Sequence, residues 1–157
     1  MLKTGDAAPD FVALLDDDTI FTLSEWLQKK HVILYFYPSD FTRGCTTEAC
    51  GFRDNHEAIE AQDAIVVGVS PDSTESHRRF REEHGLPFLL IADTERKVIG
   101  LYDVARTFAI AKTRRVTYLI DKAGTIRNVY HHEFAIGRHK DEVIEGLKNI
   151  NKISEHD

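Results

Sequence analysis

Hydrophobic residues fall along the chain in short runs separated by polar, proline- and glycine-marked breaks. Val32–Tyr37 is the longest apolar run, and with His31 it reads HVILYFY. Unbroken, β-branched and aromatic, it predicts a strand covered on both faces, and Pro38 ends it because proline cannot donate to a sheet ladder. Ile65–Ser70 (IVVGVS), Leu89–Ala92 and Val116–Ile120 predict further core strands. Phe11–Leu15 and Thr19–Leu23 predict two short strands joined by the acidic turn Asp16-Asp17-Asp18. Lys122-Ala123-Gly124 turns the chain into Thr125–His131 as a hairpin.

Between these runs the spacing becomes helical. Ser24 is placed to cap a short helix through Gln28. A helix is expected from about Cys45 to Ala61, with Ala49, Phe52 and Ile59 on its apolar face. Another starts at Asp72 or Ser73, runs to about His84 and stops at Gly85 and Pro87. Thr94–Leu101 predicts a short helix, Tyr102–Arg114 irregular or edge structure, and Glu142–Ile153 a closing helix with Val143, Leu147 and Ile150 on one face. Strands alternating with helices, with a hairpin near the end, predict an α/β fold: a mixed central sheet flanked by helices. A thioredoxin-like arrangement is one such fold, and periodicity alone does not select it.

The chain has 157 residues, which fits one domain over residues 1–157. The net charge of −6 disfavours general nucleic-acid binding. No apolar run reaches the length of a membrane span, and the start, MLKTGDAAPDF, has no apolar signal region. A cytoplasmic protein without membrane or nucleic-acid partners is the expectation. Eight histidines invite a metal reading, but no spacing resembles a zinc site. His131 and His132 are adjacent and would point opposite ways on a strand, and His77 and His84 share a helix face with Phe80, which reads as packing. No metal is expected.

Two cysteines, Cys45 and Cys50, stand five residues apart. In a reducing compartment they are either redox-active or inert, and for two arbitrary cysteines inertness is the better expectation. Context changes this. A buried strand ends at Pro38, a loop follows, and Cys45 falls where the next helix begins. An ordinary thiol is only about 3% thiolate at pH 7, and a helix N-terminus and a nearby cation both favour the anion. Thr42 offers a hydroxyl in the same loop, and Gly44 lets backbone N–H groups approach a ligand. Glu48, one turn beyond Cys45, reads as a helix-start charge.

Pro38-Ser-Asp-Phe-Thr42-Arg-Gly-Cys45 matches the P-x-x-x-T-x-x-C pattern of peroxiredoxin active sites. The continuation Thr46-Thr47-Glu48-Ala49-Cys50 resembles the Q-type peroxiredoxins, also called bacterioferritin comigratory proteins. Gly5–Phe11, Gly68-Val69-Ser70, Leu86-Pro87-Phe88 and Arg115–Asp121 extend the resemblance along nearly the whole chain. It implies a thioredoxin-like fold and reduction of hydrogen peroxide and organic hydroperoxides without metal or organic cofactor. By position it implies Cys45 as peroxidatic nucleophile, Cys50 as resolving thiol, Pro38 as shield, Thr42 as peroxide binder and Arg115 as the cation beside the thiolate. It further implies a Cys45–Cys50 disulfide, thioredoxin or a similar dithiol as reductant, and a monomer. Arg114 competes with Arg115 on residue physics alone, and strand alternation lets only one face Cys45. Arg43 departs from the pattern, since many relatives carry proline there.

Two other readings remain. A thiol–disulfide oxidoreductase would typically show C-x-x-C, where this chain has C-x-x-x-x-C. A redox sensor that passes its disulfide to a partner needs the same activated thiol.

Overall fold

The computed structural model describes residues 1–105, 113–131 and 136–155. Five strands form a mixed central sheet in the order β5-β4-β3-β6-β7: β3 (His31–Phe36), β4 (Ala64–Ser70), β5 (Leu89–Ala92), β6 (Val116–Ile120) and β7 (Ile126–His131). The pairs β3–β4 and β4–β5 are parallel, while β3–β6 and β6–β7 are antiparallel. β1 (Val12–Leu14) and β2 (Ile20–Thr22) make the separate hairpin over the acidic turn.

The central strand β3 is buried at every position, as its unbroken apolar run predicts. Strand alternation divides its side chains between two cores. Val32, Leu34 and Phe36 face one cluster with Phe21, Ile99, Tyr102 and Tyr118. Ile33, Tyr35 and Tyr37 face the other with Cys45, Phe52, Phe80, Phe88 and Leu147. The second core holds the sheet against α2 (Arg43–Asp54), α3 (His56–Ala61), α4 (Thr74–His84) and α6 (Ile136–Glu155). α1 (Leu23–Leu27) and α5 (Lys97–Leu101) lie over the first.

Several boundaries differ from expectation for identifiable reasons. α1 starts at Leu23, and Ser24 does not cap it; instead Asp10 Oδ1 accepts the Ser24 N–H at 2.9 Å. The single helix expected over 45–61 begins two residues earlier, at Arg43, and breaks at Asn55. There the Asn55 side-chain amide donates to Gly51 O at 2.8 Å, the local competition with helix bonding that asparagine favours. α5 is shorter than expected because the Asp93 carboxylate accepts Val98 N–H and Ile99 N–H, leaving Thr94–Arg96 as a turn. α6 begins six residues before Glu142, and its Val143, Leu147 and Ile150 are buried as the spacing predicts. Ser73 caps α4 through a bond from Ser76 N–H, and Gly85 closes it. Of the irregular stretch 102–114, residues 106–112 lie outside the described residues.

α6 approaches β7 closely at Gly146. A Cβ built there would stand 2.3 Å from Tyr130 Oη, 2.8 Å from Asn128 Nδ2 and 3.0 Å from Leu119 Cδ2. Tyr130 Oη is also bonded to Asn128 Nδ2 and Glu142 O, so it cannot swing aside without losing those bonds. Gly146→Ala is expected to cost about 1–3 kcal/mol by overpacking. Denaturant unfolding would check this, and an unchanged midpoint would show that the helix simply rides outward.

Candidate active site

The site forms where β3 delivers the chain to the start of α2. Tyr37 continues the sheet by donating its N–H to Val69 O at 3.1 Å. Pro38, half-buried, then turns the chain away. Asp40 is buried, whereas Phe41 is exposed in a left-handed conformation (φ 65°) with its ring on the edge of Phe80, 5.3 Å between centroids. Such a φ is unusual for a bulky residue and needs support from the surrounding structure.

Cys45 is the third residue of α2 and is buried, 1% exposed. The first helical bond runs from Thr46 N–H to Thr42 O at 2.9 Å, so the Cys45 N–H belongs to the unpaired, positive end of the helix. From the facing sheet, Arg115 places Nη2 3.2 Å from Cys45 Sγ. Its Nη1 lies 3.2 Å from Glu48 Oε1. Burial works against the Arg115 charge, but the Glu48 and Cys45 charges and their hydrogen bonds outweigh it and hold the guanidinium above its ordinary pKa. The cation beside the thiol is therefore secure.

Arg115, rather than Arg114, is the arginine that lies at the sulfur. Arg115 immediately precedes β6 and is buried, while Arg114 is half-buried and donates its N–H to Val104 O. Glu48, expected only as a helix-start charge, is in addition tied to the site. It is 3% exposed and fixes the far side of the guanidinium. Thr42 is exposed, and its hydroxyl donates to Ser39 O at 3.1 Å rather than to Cys45. Arg43 is exposed at the first position of α2.

Cys45 and Cys50 are both free thiols. Cys50 is half-buried on the same helix. Residues five apart in a helix are separated by about 7.5 Å of rise and roughly 140° of rotation, or about 8.6 Å between Cα atoms. A disulfide usually needs about 4.4–6.8 Å with facing side chains, so the helix as it stands keeps the two sulfurs apart.

The sequence spacing does not reveal one further cluster. Asp40, Asp72 and His77 bring potential ligand atoms within 4.8 Å of one another. Their facing atoms are hydrogen-bonded to each other and to Tyr37, Ser70 and Ser76, which accounts for the cluster without an ion. His77 is thus more than packing, whereas His84 does stack edgewise on Phe80, 5.2 Å between centroids. His131 ends β7 exposed, and His132 lies outside the described residues. Among the described residues no helix is long and apolar enough to cross a membrane.

A buried cysteine at a helix N-terminus, an arginine on its sulfur and a second thiol five residues on define a cysteine-based redox enzyme on a thioredoxin-like sheet. The chain belongs to the AhpC/TSA family, which residues 4–129 match. Within it the chain is a peroxiredoxin of the Bcp, or Q, type, and so a thiol peroxidase. It is 42% identical to Peroxiredoxin Bcp of Bacillus subtilis (strain 168), covering 98% of both chains. It is 37% identical to the chloroplastic Peroxiredoxin Q of Sedum lineare, over 93% of this chain and 78% of that one. Among solved structures, Peroxidoxin BcpB from Mycobacterium tuberculosis superposes with a TM-score of 0.90 at 32% identity, covering 96% of this chain and 99% of that one. A cysteine-to-serine mutant of Xylella fastidiosa PrxQ gives 0.88 at 28% identity, covering 96% and 98%.

Proposed function

We propose that this peroxidase reduces hydrogen peroxide and organic hydroperoxides through Cys45, with Cys50 resolving the product. The contact between Arg115 Nη2 and Cys45 Sγ, 3.2 Å at the positive end of α2, carries this reading. The guanidinium and the helix end favour the thiolate, which is the nucleophile. Its sulfur attacks the distal oxygen and the O–O bond breaks. Cys45 becomes a sulfenic acid, and the leaving oxygen takes a proton to depart as water or an alcohol. Arg115 stabilises the charge that develops on the oxygens. Pro38 shields the pocket. The backbone N–H groups at the start of α2, with the Thr42 hydroxyl turned from Ser39 O, position the peroxide.

Cys50 then attacks the sulfenic sulfur, an S–S bond forms and water leaves. A dithiol donor of the thioredoxin kind reduces the disulfide by exchange. A reducing compartment such as the cytoplasm, where thiols persist, suits this cycle. A single chain contains both cysteines, which suits a monomer. Catalysis in this scheme uses no metal or organic cofactor.

The test is one equivalent of hydrogen peroxide added to wild type and to Cys45→Ser, followed by thiol titration and mass spectrometry. Wild type is expected to lose both thiols and about two hydrogens of mass, and Cys45→Ser to keep its remaining thiol. Two intact thiols in the oxidant-treated wild type would sink the reading.

A further inference from the structure

We propose that Asp40 and His77 are positioning residues of this reaction: a buried ion pair clamps the loop that roofs Cys45, and loss of the His77 proton releases it. This deepens the function proposed above, because the clamped loop is the one assigned to hold the peroxide.

The inference rests on hydrogen-bond accounting. The Asp40 and His77 side chains are both 0% exposed. His77 Nε2 lies 2.9 Å from Ile91 O, and a carbonyl can only accept, so Nε2 carries a hydrogen. His77 Nδ1 lies 2.7 Å from Asp40 Oδ2, so one further proton sits between those two atoms. Two other donors select its owner. Tyr37 Oη donates to Asp40 Oδ1 at 2.7 Å and Ser76 Oγ to Oδ2 at 2.9 Å, an arrangement built for a carboxylate. Asp40 is therefore ionised and His77 carries both protons as an imidazolium.

The pair controls a specific segment. Asp40 lies two residues after Pro38, two before Thr42 and five before Cys45. Its N–H also donates to Asp72 Oδ2 at 2.8 Å, so side chain and backbone are both tied down. The clamp joins the loop to α4 and β5, and it holds in place the left-handed Phe41 that follows. Without the Nδ1 proton, a nitrogen lone pair would face the carboxylate. The ring cannot flip to relieve this while Nε2 is bonded to Ile91 O. The Tyr37 hydroxyl, 3.5 Å from Nδ1, is engaged with Asp40 Oδ1, and loss of the Nε2 proton instead would set a lone pair against Ile91 O, so opening the loop relieves either case.

The groups facing the imidazole are Asp40 from the loop, Asp72 from the β4–α4 turn, Tyr37 beyond β3 and the Ile91 carbonyl of β5, while Ser76 of α4 donates to Asp40 beside it. Burial disfavours the charged ring, but the Asp40 hydrogen bond and charge, with help from Ile91 O and Asp72, outweigh it and raise the His77 pKa above 6.5. The clamp is thus fully present below the ordinary histidine value and is lost as pH rises through the raised one. Within that window, loop opening increases by up to about tenfold per pH unit.

His31 supplies an internal control. Lys122 N–H donates to its Nδ1 at 3.1 Å, so Nδ1 is an acceptor and the ring is neutral, with Nε2 toward Asn151 Oδ1. Burial lowers its pKa, in agreement. Ring nitrogen NMR on the reduced wild type at pH 7 is expected to show both nitrogens of His77 protonated and only one of His31. A neutral His77 would overturn the proposal. Amide exchange over residues 39–46, read chiefly at Asp40 and Thr46, whose N–H groups are bonded to Asp72 Oδ2 and Thr42 O, gives the second readout once divided by the intrinsic rate at each pH. Wild-type protection is expected to fall with rising pH, whereas Asp40→Asn, whose amide can donate to a neutral Nδ1, is expected to show protection that does not vary with pH. A pH-independent wild type, or a variant with the wild-type profile, would overturn it. At pH 6 Asp40→Ala, which leaves Nδ1 without its partner, is expected to oxidise Cys45 at least about tenfold more slowly, the cost of a misplaced reacting group, with Asp40→Asn recovering most of that loss; an undiminished rate in Asp40→Ala would remove the positioning role. If wild-type Cys45 does not react with peroxide at all, the proposed reaction falls while the NMR and exchange results still decide the clamp.

Discussion

Arg115→Met is expected to slow the oxidation of Cys45 by hydrogen peroxide about 10²–10³-fold, the usual effect of removing one donor aimed at developing charge. The guanidinium does two jobs that no single smaller group reproduces. Nη2 reaches the sulfur while Nη1 holds Glu48, both at 3.2 Å. Lysine is a compact point charge without the planar fork, so Arg115→Lys should recover only part of the rate. The substitution also takes away the guanidinium 3.2 Å from Glu48, which is 3% exposed. Breaking one side of a buried pair typically costs about 3–5 kcal/mol. The double variant Glu48→Gln/Arg115→Met should therefore regain stability without regaining rate. Stopped-flow oxidation and denaturant unfolding on the three variants separate the two effects. If the double variant recovered both, Arg115 would be a structural residue and its closeness to the sulfur incidental.

The parts of the fold readable in the sequence were those set by local pattern. HVILYFY suits a strand covered on both faces, and β3 is buried throughout. Cys45 was readable as a helix-start residue to within one turn, because Pro38 must end the strand and Ala49 and Phe52 repeat helically. The break at Asn55 was not, since it depends on one side-chain amide choosing Gly51 O over solvent. Among the site residues, Arg115 and Arg114 were equivalent by charge and position. Only the family register separated them before the structure did. Sequence alone makes Glu48 a helix-start charge and His77 a packing residue for the same reason. Their partners, Arg115 and Asp40, come from elements 67 and 37 residues away. No periodicity records such a meeting, although a buried polar residue always requires one.

Oxidation is expected to unwind the first turns of α2, and this is the largest structural change the proposed cycle demands. Cys45 and Cys50 sit inside one continuous helix, and the roughly 8.6 Å of helix geometry exceeds disulfide reach. The far half of α2 is pinned. Phe52 is fully buried between Tyr35 and Phe88, and Arg53 Nη1 donates to His84 O at 2.7 Å. The near half begins at the exposed Thr42 and Arg43 and is held by Cys45 and Glu48 on Arg115 and by the small buried Ala49. Unwinding should therefore run from Arg43 and stop near Gly51, a poor helix former that eases the break. Amide exchange of the disulfide form should show protection lost over residues 46–50 and kept over residues 52–54. Cys50→Ser should react once with peroxide, keep helix protection, and then fail to turn over with a thioredoxin donor. An oxidised structure with the bond formed and residues 45–50 still helical would refute the unwinding, and steady-state turnover by Cys50→Ser would remove Cys50 from the cycle.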